Sequence, residues 1–267
     1  MLAAESGNDG WSRDTSRRSA AQIMKRAILL LLLLLSNGSL SGLAADTLEE
    51  FSAFYTATTN GIHGAAERHL VKLSENDYRL NVSLDAKIGG FEIGELEQAS
   101  VFSYVNDTIR PLYYSYQVSG VSSANETVIF DWDTMLALSA NEKQSWSVAI
   151  NRITLDELNY QLALALEVSD ASEAVYIFET LNGNALDQIS FRVLGEEVIS
   201  TPLGDFRCAK LQHNHEANGN RSTTIWLALD WSNLLAKIEQ TSASGMEITM
   251  ELTNALVANR QVSGLTK

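Results

Sequence analysis

The chain has 267 residues, 45% of them hydrophobic, and this proportion excludes an intrinsically disordered protein. Its 33 acidic residues outnumber its 19 lysines and arginines, which gives a formal net charge of −14 at pH 7. Because a field of this sign repels phosphates, the composition excludes a typical nucleic-acid-binding protein.

The first patterned segment has the three parts of a secretory signal peptide. Two basic residues precede an apolar run at 27–35, and small residues follow as far as Ala45. The run is shorter than the roughly 20 residues that a membrane-spanning helix requires. We predict an upstream extension at 1–23, untranslated or disordered, a signal peptide at 24–45 that is cleaved after Ala44 or Ala45, and a single β-rich domain at 46–267.

Short runs of aromatic and β-branched residues recur from Phe51 onward, separated by turn residues. In one of them Tyr78, Leu80, Val82 and Leu84 alternate with polar residues, which is typical of a strand with one face in the core. The strands predicted in this half are 51–58, 67–73, 78–86, 96–105, 112–118, 127–132, 135–138 and 146–150.

One segment departs from the strand pattern. Thr154 and Glu157 have the spacing of a capping box. An apolar stripe at helical spacing comprises Leu155, Leu158, Leu162 and Leu166. We predict a helix at 155–168 whose stripe covers one end of the sheet, in preference to a partner-binding face.

The strand pattern then resumes, with tight-turn signals at Asn182-Gly183, Asn218-Gly219 and Ser244-Gly245. Pro202 and Gly204 predict another turn between strands ending near 200 and beginning near 206. The predicted strands are 174–181, 188–200, 206–215, 221–229, 234–241 and 246–257. The predicted fold is mostly β: an antiparallel, strongly curved sheet of about a dozen strands, as an open barrel or a two-layer sandwich, with one packed helix.

The segment 196–229 resembles the family of domain of unknown function 3108. The matching residues are Gly195-Glu196, the turn Thr201-Pro202-Leu203-Gly204, Arg207 and Lys210 on the next strand, and Trp226-Leu227-Ala228. The resemblance extends over 48–252 and implies an exported bacterial protein. It brings no catalytic residues with it.

The histidine pair His213 and His215 would project from one face of a strand, next to Glu216. A zinc site needs further ligands, so we interpret the pair as exposed hairpin residues and predict no metal. The lone cysteine, Cys208, cannot form an internal disulfide, and we interpret it as a small buried residue rather than a reactive thiol.

Two carboxylate pairs were candidates for acid–base chemistry. Glu196 and Glu197 are consecutive strand residues that point to opposite faces, so they cannot share a site unless a bulge intervenes. Asp131 and Asp133 would lie on one face, where like charges favour exposure. The chain also lacks Gly-x-Ser-x-Gly, His-Glu-x-x-His and phosphate-binding glycine motifs.

These observations predict a non-enzymatic periplasmic envelope protein that binds an apolar, lipid-like ligand or a partner protein through a curved sheet. The predicted ligand contacts are Tyr114, Tyr116 and Trp226, with no cofactor, no nucleic acid and no transmembrane segment in the mature chain. Three alternatives remain open: an enzyme that acts on envelope polymers with carboxylates assembled in a cleft, a purely structural envelope role, and a transmembrane barrel, against which charged strand residues such as Lys237 argue.

Overall fold

A computed structural model describes residues 47–59, 62–89, 91–120, 123–168, 174–213, 222–241 and 247–266. The first-half strands are β1 (Phe51–Thr59), β2 (Ile62–Lys72), β3 (Asp77–Ile88), β4 (Phe91–Val105), β5 (Thr108–Gly120), β6 (Ala124–Asp131), β7 (Leu136–Ala140) and β8 (Ser145–Ala149). The second-half strands are β9 (Thr154–Asp156), β10 (Val175–Asn182), β11 (Ala185–Thr201), β12 (Gly204–His213), β13 (Ser222–Ala228), β14 (Leu234–Thr241), β15 (Glu247–Val257) and β16 (Arg260–Gln261). A helix, α1, spans Asn159–Glu167, and a 3₁₀ turn spans Leu229–Trp231.

All of these strands belong to one sheet, in which most neighbours in sequence are neighbours in space. β1 pairs with β2 on one side and with β15 on the other, so the sheet runs from β8 through β1 to β15 and on to β9. β16 pairs with β15 beside this path. Every described pairing is antiparallel except that of β9 with β10, because short hairpins can join only antiparallel strands.

The sheet is curled so strongly that its two ends approach each other. Ser100 Oγ on β4 donates to Asp156 Oδ2 on β9 at 2.5 Å, although β9 is the strand at the far end of the sheet. The N–H of Gly183, after β10, donates to Glu126 Oε1 on β6 at 3.0 Å. Within the described ranges β8 and β9 form no ladder with each other, so the sheet is open.

The predicted β-rich, curved architecture is confirmed in outline and corrected in detail. A single open sheet replaces the two-layer sandwich, and the described residues form 16 strands rather than about a dozen. Two of the additional strands, β9 and β16, have only three and two residues. Such short segments carry no periodic pattern from which a strand can be predicted.

The turn predicted at Thr201–Gly204 is confirmed. Thr201 and Gly204 are the last Cα partners of the β11–β12 hairpin, and Gly204 has φ of +146°. The Thr201 hydroxyl donates to the carbonyl of Gly204 at 3.1 Å and accepts the N–H of Leu203 at 3.2 Å. Glycine is favoured here because side chains with a Cβ rarely adopt this conformation.

The capping box predicted at Thr154 is wrong, because Thr154 lies in β9 and its hydroxyl donates to Glu179 Oε1 at 2.8 Å. Asp156 instead provides the hydrogen-bond acceptor at the start of the helix: its Oδ1 accepts hydrogen bonds from the N–H groups of Leu158 and Asn159 at 2.9 and 2.7 Å. The helix therefore begins at Asn159 rather than at 155.

The apolar stripe predicted for the helix is only partly buried. Leu158 and Leu162 belong to the core, whereas Leu166 is 47% exposed. α1 packs against β5, β9 and β10, so it covers the gap where the two ends of the curled sheet approach each other. This position agrees with the predicted structural role of the stripe.

Candidate ligand-binding cavity

The inner face of the sheet and α1 enclose a cavity of ≈ 1170 Å³. Its apolar wall includes Phe51, Leu70, Phe191, Ile225, Leu227 and Ile238 from the sheet, with Leu162 and Leu164 from the helix. The strand side chains reach it because alternate residues of a strand share one face. The predicted interior space is therefore present, and its wall combines aliphatic and aromatic groups with polar and charged ones.

A buried arginine, Arg68, lies in this wall at the middle of β2. It shares the inner face with Ala66 and Leu70, which are 2% and 1% exposed, and is itself only 8% exposed. Its Cα partners across the ladder are Ala53 and Val82, and the small Ala53 side chain leaves room for the long guanidinium. The alternation of β2 therefore places a cation among apolar side chains.

The described contact of this guanidinium is with an uncharged group. Arg68 Nη1 donates to Oε1 of Gln161 on α1 at 2.6 Å. No ion pair in the described part of the chain includes Arg68. Burial lowers the pKa of Arg68, although an arginine remains charged at neutral pH.

Two tyrosines add neutral hydroxyl groups near Arg68. Tyr160 on α1 lines the cavity and stacks on Phe191 with ring centroids 6.4 Å apart. Burial raises the pKa of Tyr160 to about 12, and it also raises that of Tyr55, whose Oη donates to the carbonyl of Leu235 at 3.1 Å. Both hydroxyls therefore stay protonated at neutral pH, which makes them hydrogen-bond donors rather than anions.

Acidic groups also line the cavity. They are Glu49, Asp107, Glu157 and Asp187. Burial, followed by the charges of Glu126, Asp187 and Asp156, raises the pKa of Glu157 to about 7. The described ion pairs do not include one between Glu157 and Arg68.

The tyrosines predicted as ligand contacts lie elsewhere. Tyr114 is 2% exposed, and its Oη accepts a hydrogen bond from Gln98 Nε2 at 3.0 Å. Tyr116 is half-buried and borders a second depression of ≈ 580 Å³ formed over β2 to β7. Neither lines the large cavity. Their role in ligand binding stays a prediction.

The third predicted contact, Trp226, is not among the residues that line the cavity, whereas its neighbours Ile225 and Leu227 are. Its ring centroid lies 5.1 Å from Lys210 Nζ and 5.5 Å from Lys237 Nζ, and its Nε1 donates to a carboxylate oxygen of Glu197. Trp226 is thus a buried residue in contact with a network of charges, and its role in ligand binding stays a prediction.

The remaining sequence candidates have structural partners. Glu196 pairs with Arg207 at 3.5 Å and Glu197 with Lys210 at 3.2 Å, so the two carboxylates have separate partners. Asp131 and Asp133 are exposed, and Asp131 accepts the N–H of Asp133 at 3.0 Å.

Of the histidine pair, His213 lines the cavity with its ring centroid 5.1 Å from that of Phe191. His215 and Glu216 lie outside the described residues, as do the turns predicted at 218–219 and 244–245. No cluster of three or more metal-binding side chains occurs in the described ranges. Cys208 is buried, as predicted, and burial raises the pKa of its thiol to about 12.

The sequence did not reveal Arg68 as a site residue. In β2 the inner residues Ala66, Arg68 and Leu70 alternate with Glu67, His69 and Val71, so each possible face contains charged and apolar residues. The pairing of β2 with β1 and β3 decides which face lies inside.

An open, curled β-sheet around a partly apolar cavity, with the buried cation of Arg68 in its wall, defines the class of this protein. The family model described as "Protein of unknown function (DUF3108)" matches residues 55–253, and the chain belongs to that family. The resemblance noted at Gly195-Glu196 and the Thr201–Gly204 turn is thereby confirmed.

The fold is similar to that of a solved structure, the beta-barrel-like protein of domain of unknown function DUF1849 from Brucella abortus. The TM-score is 0.53 at 8% sequence identity, covering 80% of this chain and 99% of that chain. A likeness at this identity concerns the fold alone.

Two further structures are less similar. A protein from Bacteroides fragilis NCTC 9343, described as exported and YmcC-like in fold, has a TM-score of 0.37 at 10% identity, covering 78% of this chain and 96% of that one. A protein from Parabacteroides distasonis ATCC 8503, described as a lipoprotein, has a TM-score of 0.34 at 9% identity, covering 78% and 95%. No curated protein matches the sequence. In the described part of the chain, no helix combines the length and hydropathy needed to cross a membrane.

Proposed function

We propose that this protein is a periplasmic binding protein that holds an apolar, lipid-like ligand inside its curved sheet. The observation that carries the proposal is the cavity of ≈ 1170 Å³, whose wall has an aliphatic and aromatic part beside polar and charged side chains. Pockets of roughly 300–1,000 Å³ accommodate drug-sized ligands, so the space is sufficient for a hydrocarbon chain. Transfer of that chain from water to these walls supplies the driving force for binding.

The periplasmic location rests on the N-terminal sequence. Residues 24–45 combine two basic residues, a short apolar run and small residues, which is the pattern of a cleaved export signal. Expression of the full chain in a double-membrane bacterium, followed by intact-mass measurement of the periplasmic product, tests this. Retention of the uncleaved chain in the cytoplasm would contradict the proposed location.

Native mass spectrometry of that product, without detergent and followed by organic extraction, tests the ligand. We expect a reproducible extra mass that extracts as a lipid. A leucine-to-tryptophan change at Leu227, which points into the cavity, should reduce the bound fraction by filling space. A protein that carries no ligand and also fails to bind added long-chain amphiphiles would overturn the proposal.

A second candidate is an enzyme that acts on an envelope polymer. The observation that favours it is Glu157, whose raised pKa of about 7 beside Asp187 suits proton transfer at neutral pH. Incubation with purified envelope polysaccharides would detect cleavage, and Glu157→Gln should abolish it. If the wild-type protein left the polysaccharide as intact as Glu157→Gln does, an enzymatic function on these polymers would be ruled out.

A further inference from the structure

The environment of Arg68 differs from that of the cations on the surface of this protein. Described ion pairs hold Arg207, Lys210, Lys237 and Arg260 against carboxylates. The side chains in these pairs are 20% to 67% exposed, whereas Arg68 is 8% exposed and hydrogen-bonds a neutral amide. A buried charge is costly unless an opposite charge compensates it, so the guanidinium lies where an anion would be most strongly favoured.

We propose that Arg68 binds the singly charged anionic head group of an amphiphile whose hydrocarbon chain fills the cavity. This inference rests on the proposed function and deepens it by naming the ligand class. The guanidinium has five N–H donors, and its described hydrogen bond to Gln161 uses Nη1. The planar group can therefore still donate to a carboxylate or phosphate oxygen.

The surroundings of Arg68 favour one negative charge over several. Gln161 fixes the guanidinium from α1, and the protonated hydroxyl of Tyr160 lines the same cavity. The four carboxylates that also line the cavity, Glu49, Asp107, Glu157 and Asp187, would repel a head group with further negative charges. A fatty-acid carboxylate and the phosphodiester of an acidic phospholipid share the required single charge.

Affinity measurements on the delipidated, processed protein separate these ligands. The probes are hexadecanoate, 1-hexadecanol as its neutral chain-matched analogue, and phosphatidylglycerol beside diacylglycerol, which lacks the phosphodiester. We expect the anionic member of at least one pair to bind about 10- to 100-fold more tightly than its partner, the range typical of a charge-assisted hydrogen bond. The pair with the larger ratio identifies carboxylate or phosphodiester as the head group.

Three variants test the role of Arg68. Arg68→Met should reduce the preference for the anion over its neutral analogue to within about threefold, and Arg68→Lys should retain part of that preference. Arg79→Met is the matched control, because Arg79 is an exposed arginine on the outer face of the adjacent β3. If Arg68 only fastened α1 to the sheet, Arg68→Met would lower the unfolding temperature without changing the preference.

A measurement on the wild-type protein remains valid if Arg68→Met fails to fold. Hexadecanoate labelled with ¹³C at its carboxyl group should titrate at a lower pH when bound than in micelles, because the guanidinium favours the carboxylate. For phosphatidylglycerol, the ³¹P resonance should shift on binding. Equal binding of neutral and anionic probes would overturn the role of Arg68 but not the carrier function, whereas failure of every probe to bind would overturn the carrier function itself.

Discussion

The buried carboxyl group of Asp156 should make the stability of this protein fall as the pH rises. Asp156 is inaccessible to solvent, and burial raises its pKa from 3.8 to about 6 even though Ser100 and two backbone N–H groups donate to it. A shift of about two units corresponds to roughly 3 kcal/mol of unfavourable free energy when the group is ionised.

The direction of this pH effect follows from the protonation of Asp156 in the folded and unfolded states. Between about pH 4 and 6 the folded protein retains a proton on Asp156 that the unfolded chain has released, so raising the pH favours unfolding. The destabilisation is absent below the unfolded pKa and complete above the folded one. Glu157, whose pKa is raised to about 7, adds an effect of the same sign at slightly higher pH.

Urea unfolding between pH 4 and 8 measures this effect in the wild type and in Asp156→Asn. The asparagine retains a carbonyl oxygen for the N–H groups of Leu158 and Asn159, so the helix start should persist. We expect the variant to gain roughly 3 kcal/mol relative to the wild type as the pH rises from 4 to 7. Because both proteins contain Glu157, most of its contribution to the pH dependence cancels in the difference between their stabilities.

The exposed Asp133 provides the matched control, because Asp133→Asn makes the same chemical change at the surface. The free energy of unfolding of Asp133→Asn should vary with pH in parallel with that of the wild type. If the wild type and Asp156→Asn instead gave parallel curves, within about 0.5 kcal/mol, the desolvation argument for Asp156 would be refuted.

Three other changes test other parts of the structure. Gly204→Ala should lower the free energy of unfolding in urea by roughly 1–3 kcal/mol, because φ is +146° and the new Cβ would lie 3.1 Å from Gly264 Cα. Equal stability of the variant and the wild type would contradict this backbone conformation at Gly204. Trp226→Leu should lower stability by roughly 2 kcal/mol yet leave hexadecanoate affinity unchanged, since the ring packs outside the cavity; weaker binding would support the ligand role predicted from the sequence. Cys208 should resist thiol-specific reagents in the native protein and react only on unfolding, whereas rapid native labelling would show that it is accessible.

The sequence predicted the local features well because they depend on neighbouring residues. The alternation of Tyr78 and Leu80 with polar residues identified β3, and both side chains are buried at 1% and 0% exposure. Pro202 and Gly204 located a hairpin turn, since one lacks an amide hydrogen and the other tolerates positive φ. The same short stretch predicted the family correctly.

Pairings between distant segments accounted for the errors. Thr154 and Glu157 match a capping box locally, but the parallel ladder with β10 draws Thr154 into a strand and leaves the helix start to Asp156. Trp226 is buried in the core as an aromatic residue, but it does not line the cavity as Ile225 and Leu227 do, and its ligand role stays a prediction. Hydrophobicity alone does not distinguish the two covered faces of a strand in a curled sheet.

The sequence by itself determined the β-rich class, most strand positions, the central turn, the family and the pattern of an export signal, because composition and short-range geometry specify them. Only the tertiary structure decided that the sheet curls around a cavity and that Arg68 faces into it. A period of two tells which residues share a face, but a shift of one residue in register would turn Arg68 outward. The pairing of β2 with β1 and β3, and the contact of Arg68 with Gln161, settle that choice.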